Sequence, residues 1–490
     1  MPRLSKSKFT AGLQCHRALW WKVHEPNAPE LAVDPATRAV FDQGTRVGEV
    51  ARAYIPGGHL IDLPYWAVDE RIEATRRAIA DGARVLYEAS FRQDNVYVAV
   101  DILHRPSARG RWTLTEVKST TKVKDEHVPD AAVQMHVLER AGLSVGHAEV
   151  MHLNRECRHP DLSNLFTRSD VTRPVEAYLP QVPREVKAQL RMLDRPAPPS
   201  VEPGDHCAEP YECPFMGRCW TEGPAHSIDT LYKISPKKRD ALAEEGYETI
   251  FDLPDRLELG PIPERQRRAV QSGEIVVEEG LREALASLAA PVAHLDFETI
   301  SPAIPVWPGC RPYDLVPVQF SVQVEGAGDR EATRVEWLAD GEDDPREAIA
   351  RALVHALRGA RTIIVYYAPF EIGRLRELQQ AVPDLAAELE DVISRIVDLL
   401  PIVRAHVYHP DFGGSFSLKK VAPALVPGLA YAGMQISDGG VATQALETLL
   451  LHESTLAAAD RDRLRRDLLT YCEQDTSATR GVLQRLREVS

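Results

Sequence analysis

The chain has 490 residues, 44% of them hydrophobic and 27% charged, with a formal net charge of −14. That composition is of the ordinary globular kind, the length allows about two to four domains, and the acidity argues against a broad, nonspecific nucleic-acid coat. No apolar run approaches membrane-spanning length, and the basic start Met1–Lys8 lacks the apolar stretch of a signal peptide, so a cytoplasmic protein without membrane partners is expected.

Residues 1–223 read as one α/β unit. Apolar periodicity predicts helices over 36–54 and 68–82, and β-branched runs predict strands over 83–88, 96–103 and 112–118. A helix over 129–141 and a strand over 148–153 follow, then a proline-rich loop at 195–200. Asp101 ends one of these strands, and Glu116 and Lys118 share a face of the next, because side chains alternate along a strand. Two carboxylates can hold Mg²⁺ or Mn²⁺, and a neighbouring lysine can orient water or meet developing phosphate charge. Gln134 follows on the next helix. Read alone, these residues are a strand-end acid and a surface Glu–Lys pair worth about 0–1 kcal/mol.

The order D…E-x-K…Q, carried by Asp101, Glu116, Lys118 and Gln134, resembles PD-(D/E)XK nucleases of the RecB type. Seven uneven cysteines do not form a disulfide framework. Cys15 near the start, with Cys207, Cys213 and Cys219 at the end of the unit, matches the order of the RecB-like nucleases related to CRISPR-adaptation exonucleases. That resemblance implies a 4Fe-4S cluster stapling the unit. Zinc is the alternative, but the five-residue gaps between the last three cysteines exceed the two to four usual in zinc modules. Two departures stand out. Gly48 falls where the family often has histidine, and Leu138 where it has tyrosine. Glu88 is a compensating acid or a solvated residue.

Residues 224–285 read as short helices broken by proline and glycine. Leu231–Arg239, with Gly246 and Ile250, is either a helix-hairpin-helix element offering amides and lysines to phosphates or a plain helical linker. Basic stretches at Arg3–Lys22, Lys118–Lys124, Lys233–Arg239 and Arg265–Arg268 are candidate nucleic-acid contacts, each read alone as a solvated face.

Residues 286–490 read as a second α/β unit. Asp296 and Glu298 lie two apart on the apolar run Val292–Thr299 and so face one side. Glu371 follows the apolar run 362–367, and Tyr471 and Asp475 share a helix face at i and i+4. Carboxylates gathered in this way hold two divalent cations for phosphodiester hydrolysis. Asp398 is either a further site acid or a cap, and Gly413–Lys420 is a turn into a helix whose N-terminus can meet phosphate. The pattern resembles the DEDD (DnaQ-like) 3′→5′ exonucleases on an RNase H-like fold, with Glu371 where the second motif has Asp and Tyr471 in the tyrosine form of the third, where the hydroxyl helps orient the attacking water.

The whole chain thus resembles bacterial proteins in which a RecB-like iron–sulfur nuclease precedes a DEDD-like domain. The resemblance implies a divalent-metal nuclease acting on DNA ends or single strands; it leaves the pathway open, DNA repair and phage defence both being compatible with it. RNA stays open as a substrate, since no reader of the 2′-OH is identifiable. One rival reading leaves only the second head active, with the first threading the strand past it. Another is a noncatalytic nucleic-acid-binding scaffold whose cluster is structural or redox-sensing.

Overall fold

The computed structural model describes residues 4–220, 223–326, 332–429, 434–436, 438–452 and 456–490; Arg3 of the first basic stretch lies outside them. The protein is α/β and multidomain, with two mixed sheets and a two-stranded antiparallel ribbon among the described residues. Among the described residues no helix is long and apolar enough to cross a membrane. The chain divides into two compact units, Met1–Thr221 with Pro302–Asp314, and Glu222–Ser301 with Leu315–Ser490.

The first unit is built on β1 (Leu4–Ser5), β2 (His59–Leu60), β3 (Val85–Gln93), β4 (Val96–His104), β5 (Trp112–Lys118), β6 (Val145–Leu153) and β7 (Phe166–Asp170), in the order β2-β3-β4-β5-β6-β7, with β1 pairing β4. Val96, Val98 and Val100 alternate into the core and are fully buried, as a half-exposed strand requires. They pack with Ala131, Val133 and Leu138 of the helix His127–Arg140 and with Phe9 and Leu19 of the N-terminal helices Lys6–Gln14 and His16–His24. The helix Pro35–Ala51 begins with Asp34 as its N-cap and proline in its first turn. Pro302–Asp314 packs here too: Gly309 N–H donates to His159 O (2.8 Å), His159 N–H to Cys310 O (3.0 Å), and the Tyr313 hydroxyl donates to Ser119 O.

The second unit carries β8 (Val276–Val277), β9 (Val292–Ile300), β10 (Val316–Val324), β11 (Thr333–Leu338), β12 (Thr362–Val365), β13 (Ile396–Asp398) and β14 (Val407–Tyr408). Its sheet runs β11-β10-β9-β12-β13, with the first two pairings antiparallel and the last two parallel. Ala293, Leu295 and Phe297 of β9 pack with the helices Arg346–Ala356 and Ala368–Ala381. Asp296 and Glu298 therefore face the opposite side, where the long helix Ala458–Val489 lies on the sheet. Three alternate side chains of β10 fix that helix: Gln319 Nε2 donates to Leu468 O (2.8 Å), Ser321 Oγ meets Thr476 Oγ1 (2.8 Å), and Gln323 Nε2 donates to Ser477 Oγ (2.7 Å).

The helical stretch expected as a linker is not a unit of its own. Ile228, Leu231, Leu242, Ile250, Leu253 and Val270 form a small core inside the second unit. Its basic stretch Arg265–Arg268 is occupied within the fold: Arg265 pairs Glu278 (3.1 Å), Arg267 pairs Glu264 (2.8 Å), and Arg268 pairs Glu278. Gly414 sits at φ +79, and a Cβ there would meet Thr230 O at 2.0 Å. Gly414→Ala should therefore lower the stability of the second unit by more than the about 1–2 kcal/mol of the left-handed backbone alone, measurable as a shifted denaturation midpoint.

Candidate functional site

In the first unit the β4–β5 ladder pairs Ile102 with Thr115 and goes no further toward Asp101. One residue on, the Asp101 carboxylate accepts the Val117 N–H (2.7 Å) and takes the place of a ladder partner. Glu116, on the same strand as Lys118, receives Lys118 Nζ at Oε1 (2.7 Å) and Gln134 Nε2 at Oε2 (2.7 Å). Asp101, Glu116, Lys118 and Gln134 thus occupy one cluster. Two members are absent from the sequence-based set. Asp130, one helical turn before Gln134, accepts Lys118 Nζ at 2.5 Å, and Lys6, at the start of the first helix, donates to Glu116 Oε1 at 2.6 Å. Asp130 carried a signal, its i, i+4 spacing to Gln134. Lys6 carried none.

Burial, then the Glu116 charge, pushes Asp101 up to about 7. Burial also disfavours the Glu116 charge, but Lys118 and Lys6 outweigh it and hold Glu116 well below the usual carboxylate range. Glu88 sits at φ +61 and pairs Arg52 (3.4 Å) and Arg71 (3.6 Å). A Cβ at Gly48 would meet open space, so no neighbouring side chain fills that position. Leu138 is fully buried in the core, where a tyrosine hydroxyl would need a partner.

Cys15, Cys207, Cys213 and Cys219 line one enclosed cavity with Trp21, His206 and Met216. Burial raises the Cys213 and Cys219 thiols, and the neighbouring thiols raise them further. The wall is pinned by hydrogen bonds of the protein itself: Gln14 Nε2 donates to His206 O (2.8 Å) and Tyr211 O (2.6 Å), and Cys213 N–H to Cys207 O (2.8 Å). Cys157, Cys310 and Cys472 are buried and do not line this cavity.

In the second unit, ligand oxygens of Asp296, Glu298 and Asp475 lie within 4.8 Å of one another, the only such metal-ligand group among the described residues. β9 supplies the first two and the C-terminal helix the third. Glu371, in the first turn of the helix Ala368–Ala381, is 3% exposed, and its Oε2 is buried without a hydrogen-bond partner. Burial, then the charges of Asp475, Glu298 and Glu371, raises Asp296 well above the usual range. Burial and Asp475 push Glu298 up to about 8, while Lys419 opposes the shift. Burial, then the Asp398 charge, pushes Glu371 up to about 8. A group of like charges in which only Glu298 is buried, with the orphaned Oε2 of Glu371 beside it and outside the 4.8 Å group, fits divalent cations.

Tyr471 is buried one turn before Asp475, with Lys419 Nζ 5.3 Å above its ring. The thiol of Cys472 lies 3.8 Å from Asp296 Oδ2. A cleft of about 560 Å³ opens beside the triad, walled by Asp296, Asp475, Tyr366, Tyr367, Phe416 and Lys419. Lys419 was legible only as part of the Gly413–Lys420 turn, which leads into the helix Leu418–Leu425. Asp398 is a cap: its Oδ1 accepts the Tyr367 and Leu400 amides (both 3.0 Å) and its Oδ2 the Ala368 amide (2.9 Å). These bonds hold Tyr367 at φ +87 on the cleft wall.

Residues 293–417 match a family model described as a domain of unknown function, DUF2779. The match spans Asp296, Glu298, Glu371 and Asp398 and stops short of Tyr471 and Asp475. A search of curated proteins finds no match.

The raised acid at Glu371 sets a sign. Its pKa of about 8 exceeds the ordinary 4.5, so the folded chain keeps a proton that the unfolded chain releases, and stability falls as pH rises across that window. With divalent ions chelated, melting temperature should drop between about pH 4.5 and 8, and Glu371→Gln should flatten the profile.

Proposed function

We propose that this protein is a divalent-metal-dependent nuclease whose second unit removes nucleotides from the 3′ ends of DNA. The observation that carries this reading is the convergence of Asp296, Glu298 and Asp475 oxygens within 4.8 Å, supplied by β9 and by the C-terminal helix. Asp296, Glu298, Asp475 and Glu371 are the residues to hold the cations. Mg²⁺ or Mn²⁺ bound there supplies Lewis-acid stabilisation of the phosphodiester in transit and favours ionisation of the attacking water. The chain's own part is positional. β10 locks the C-terminal helix so that Asp475 meets β9, and Tyr471 sits one turn away to orient water. Lys419 stands at the cleft to meet a phosphate, and the aromatic wall suits stacked, unpaired bases. The sheet order, three antiparallel strands followed by two parallel ones, supports the RNase H-like reading.

The first unit is proposed as a RecB-like PD-(D/E)XK nuclease head, with Asp101 and Glu116 toward metal and Lys118 toward the nucleophile. One observation favours a second reading, in which only the DEDD-like head turns over: both Glu116 oxygens are already engaged by lysines and glutamine. The two readings separate on 3′- and 5′-labelled single and double strands. Asp296→Ala should lower 3′→5′ release by more than the about 10–100-fold that losing an outer partner of a metal site costs. Activity that survives Asp296→Ala and disappears on Glu116→Ala assigns a second working head; complete loss with Asp296→Ala alone assigns one. No nucleotide release by the unsubstituted chain with either metal overturns both.

The cysteine cavity is proposed to hold a 4Fe-4S cluster. Zn–S bonds of about 2.3 Å would bring four thiolates within about 3.8 Å of one another. The four cysteines share a cavity but form no group of ligand atoms within 4.8 Å among the described residues. Anaerobically purified protein should be brown with about four irons per chain, and Cys219→Ser should remove colour and iron together. A colourless protein carrying one zinc would overturn the assignment.

A further inference from the structure

We propose that Lys6 is the resident cation of the first unit's carboxylate cluster, and that a divalent ion reaches Glu116 only by displacing it. This rests on the reading of Asp101 and Glu116 as metal-binding residues. Glu116 is 1% exposed, and both its oxygens are engaged: Lys6 and Lys118 converge on Oε1 at 2.6 and 2.7 Å, and Gln134 holds Oε2 at 2.7 Å. Asp101 Oδ2 is committed to the Val117 amide (2.7 Å). Three carboxylates, Asp101, Glu116 and Asp130, thus face two ammonium groups with no added ion.

A divalent ion on a carboxylate oxygen sits at about 2.0–2.6 Å, against the same Oε1 that carries both ammoniums. Like charges at that spacing repel strongly in a buried setting, so one lysine must leave. The distances decide which. Lys118 is held twice, by Glu116 and by Asp130 at 2.5 Å. Lys6 has one close partner, its distance to Asp130 being 3.9 Å. Its backbone stays fixed, since Leu4 pairs with Val96 on β4 and Ser5 caps the helix that Lys6 begins. Only the four-carbon stem of Lys6, 23% exposed, has to swing. The N-terminal helix thereby carries a gate on the first site that the second unit's triad is not built around.

The test uses the full chain with Asp296→Ala and Asp475→Ala, so that the second unit's triad does not compete for metal. Mn²⁺ binding is followed by titration calorimetry and by the electron paramagnetic resonance signal of free Mn²⁺. Adding Lys6→Met should tighten binding by about tenfold, equivalent to about 1.4 kcal/mol, whereas Lys6→Arg, which keeps the charge, should leave it near the parent value. Lys6→Gln serves the same purpose should the Met variant fail to fold. Unchanged or weaker Mn²⁺ affinity in a folded Lys6→Met or Lys6→Gln chain overturns the gate. A site whose Mn²⁺ binding is insensitive to Glu116→Gln overturns the metal-site reading itself, and the gate with it.

Discussion

Carboxylates gathered out of water repel one another, and the second unit is arranged around that repulsion. Its three clustered acids come from β9 and from a helix near the end of the chain. Nothing local in the sequence brings them together; tertiary contacts must do so against an electrostatic cost. The contacts are identifiable. Gln319, Ser321 and Gln323 point from alternate positions of β10 into Leu468, Thr476 and Ser477, and Leu468, Cys472 and Thr476 lie fully buried against the sheet. These polar, buried bonds fix the helix lengthwise as well as in rotation, which apolar packing alone does less well. The raised acids are the cost of that placement, and a proton or a cation relieves it.

The first unit answers the same problem differently. Its carboxylates are partly neutralised from within by lysines drawn from a strand and from the first helix. In one cluster the acids are raised together, in the other two lysines offset part of the charge while Asp101 stays raised. That contrast separates the two sites more sharply than their motifs do.

Much of the scaffold was legible because it follows from periodicity. The strands at 96–104 and 112–118 and the helix at 127–140 fall within a few residues of their expected bounds, since alternation and apolar runs are local signals. Asp296 and Glu298 were legible as neighbours because a strand forces i and i+2 to one face. Lys6 was not, because a lysine in a short basic start looks the same whether it is solvated or folded back onto a buried glutamate more than a hundred residues away. Asp398 shows the reverse case. Its sequence context allowed a site acid or a cap, and the three amides on its oxygens give it the capping role. The basic residues Arg265, Arg267 and Arg268 read as a surface stripe but are spent on glutamates and carbonyls. Charge in a sequence says nothing of the partner that folding assigns to it.

The strip Pro302–Asp314 follows directly on the strand that bears Asp296 and Glu298, yet it completes the other unit. A fragment ending at residue 221 would lose the Tyr313 hydroxyl from the Ser119 carbonyl and the Gly309 amide from His159. The first half is therefore not a portable module. Grafting residues 1–221 alone onto another protein would leave behind the strip that covers part of their own surface.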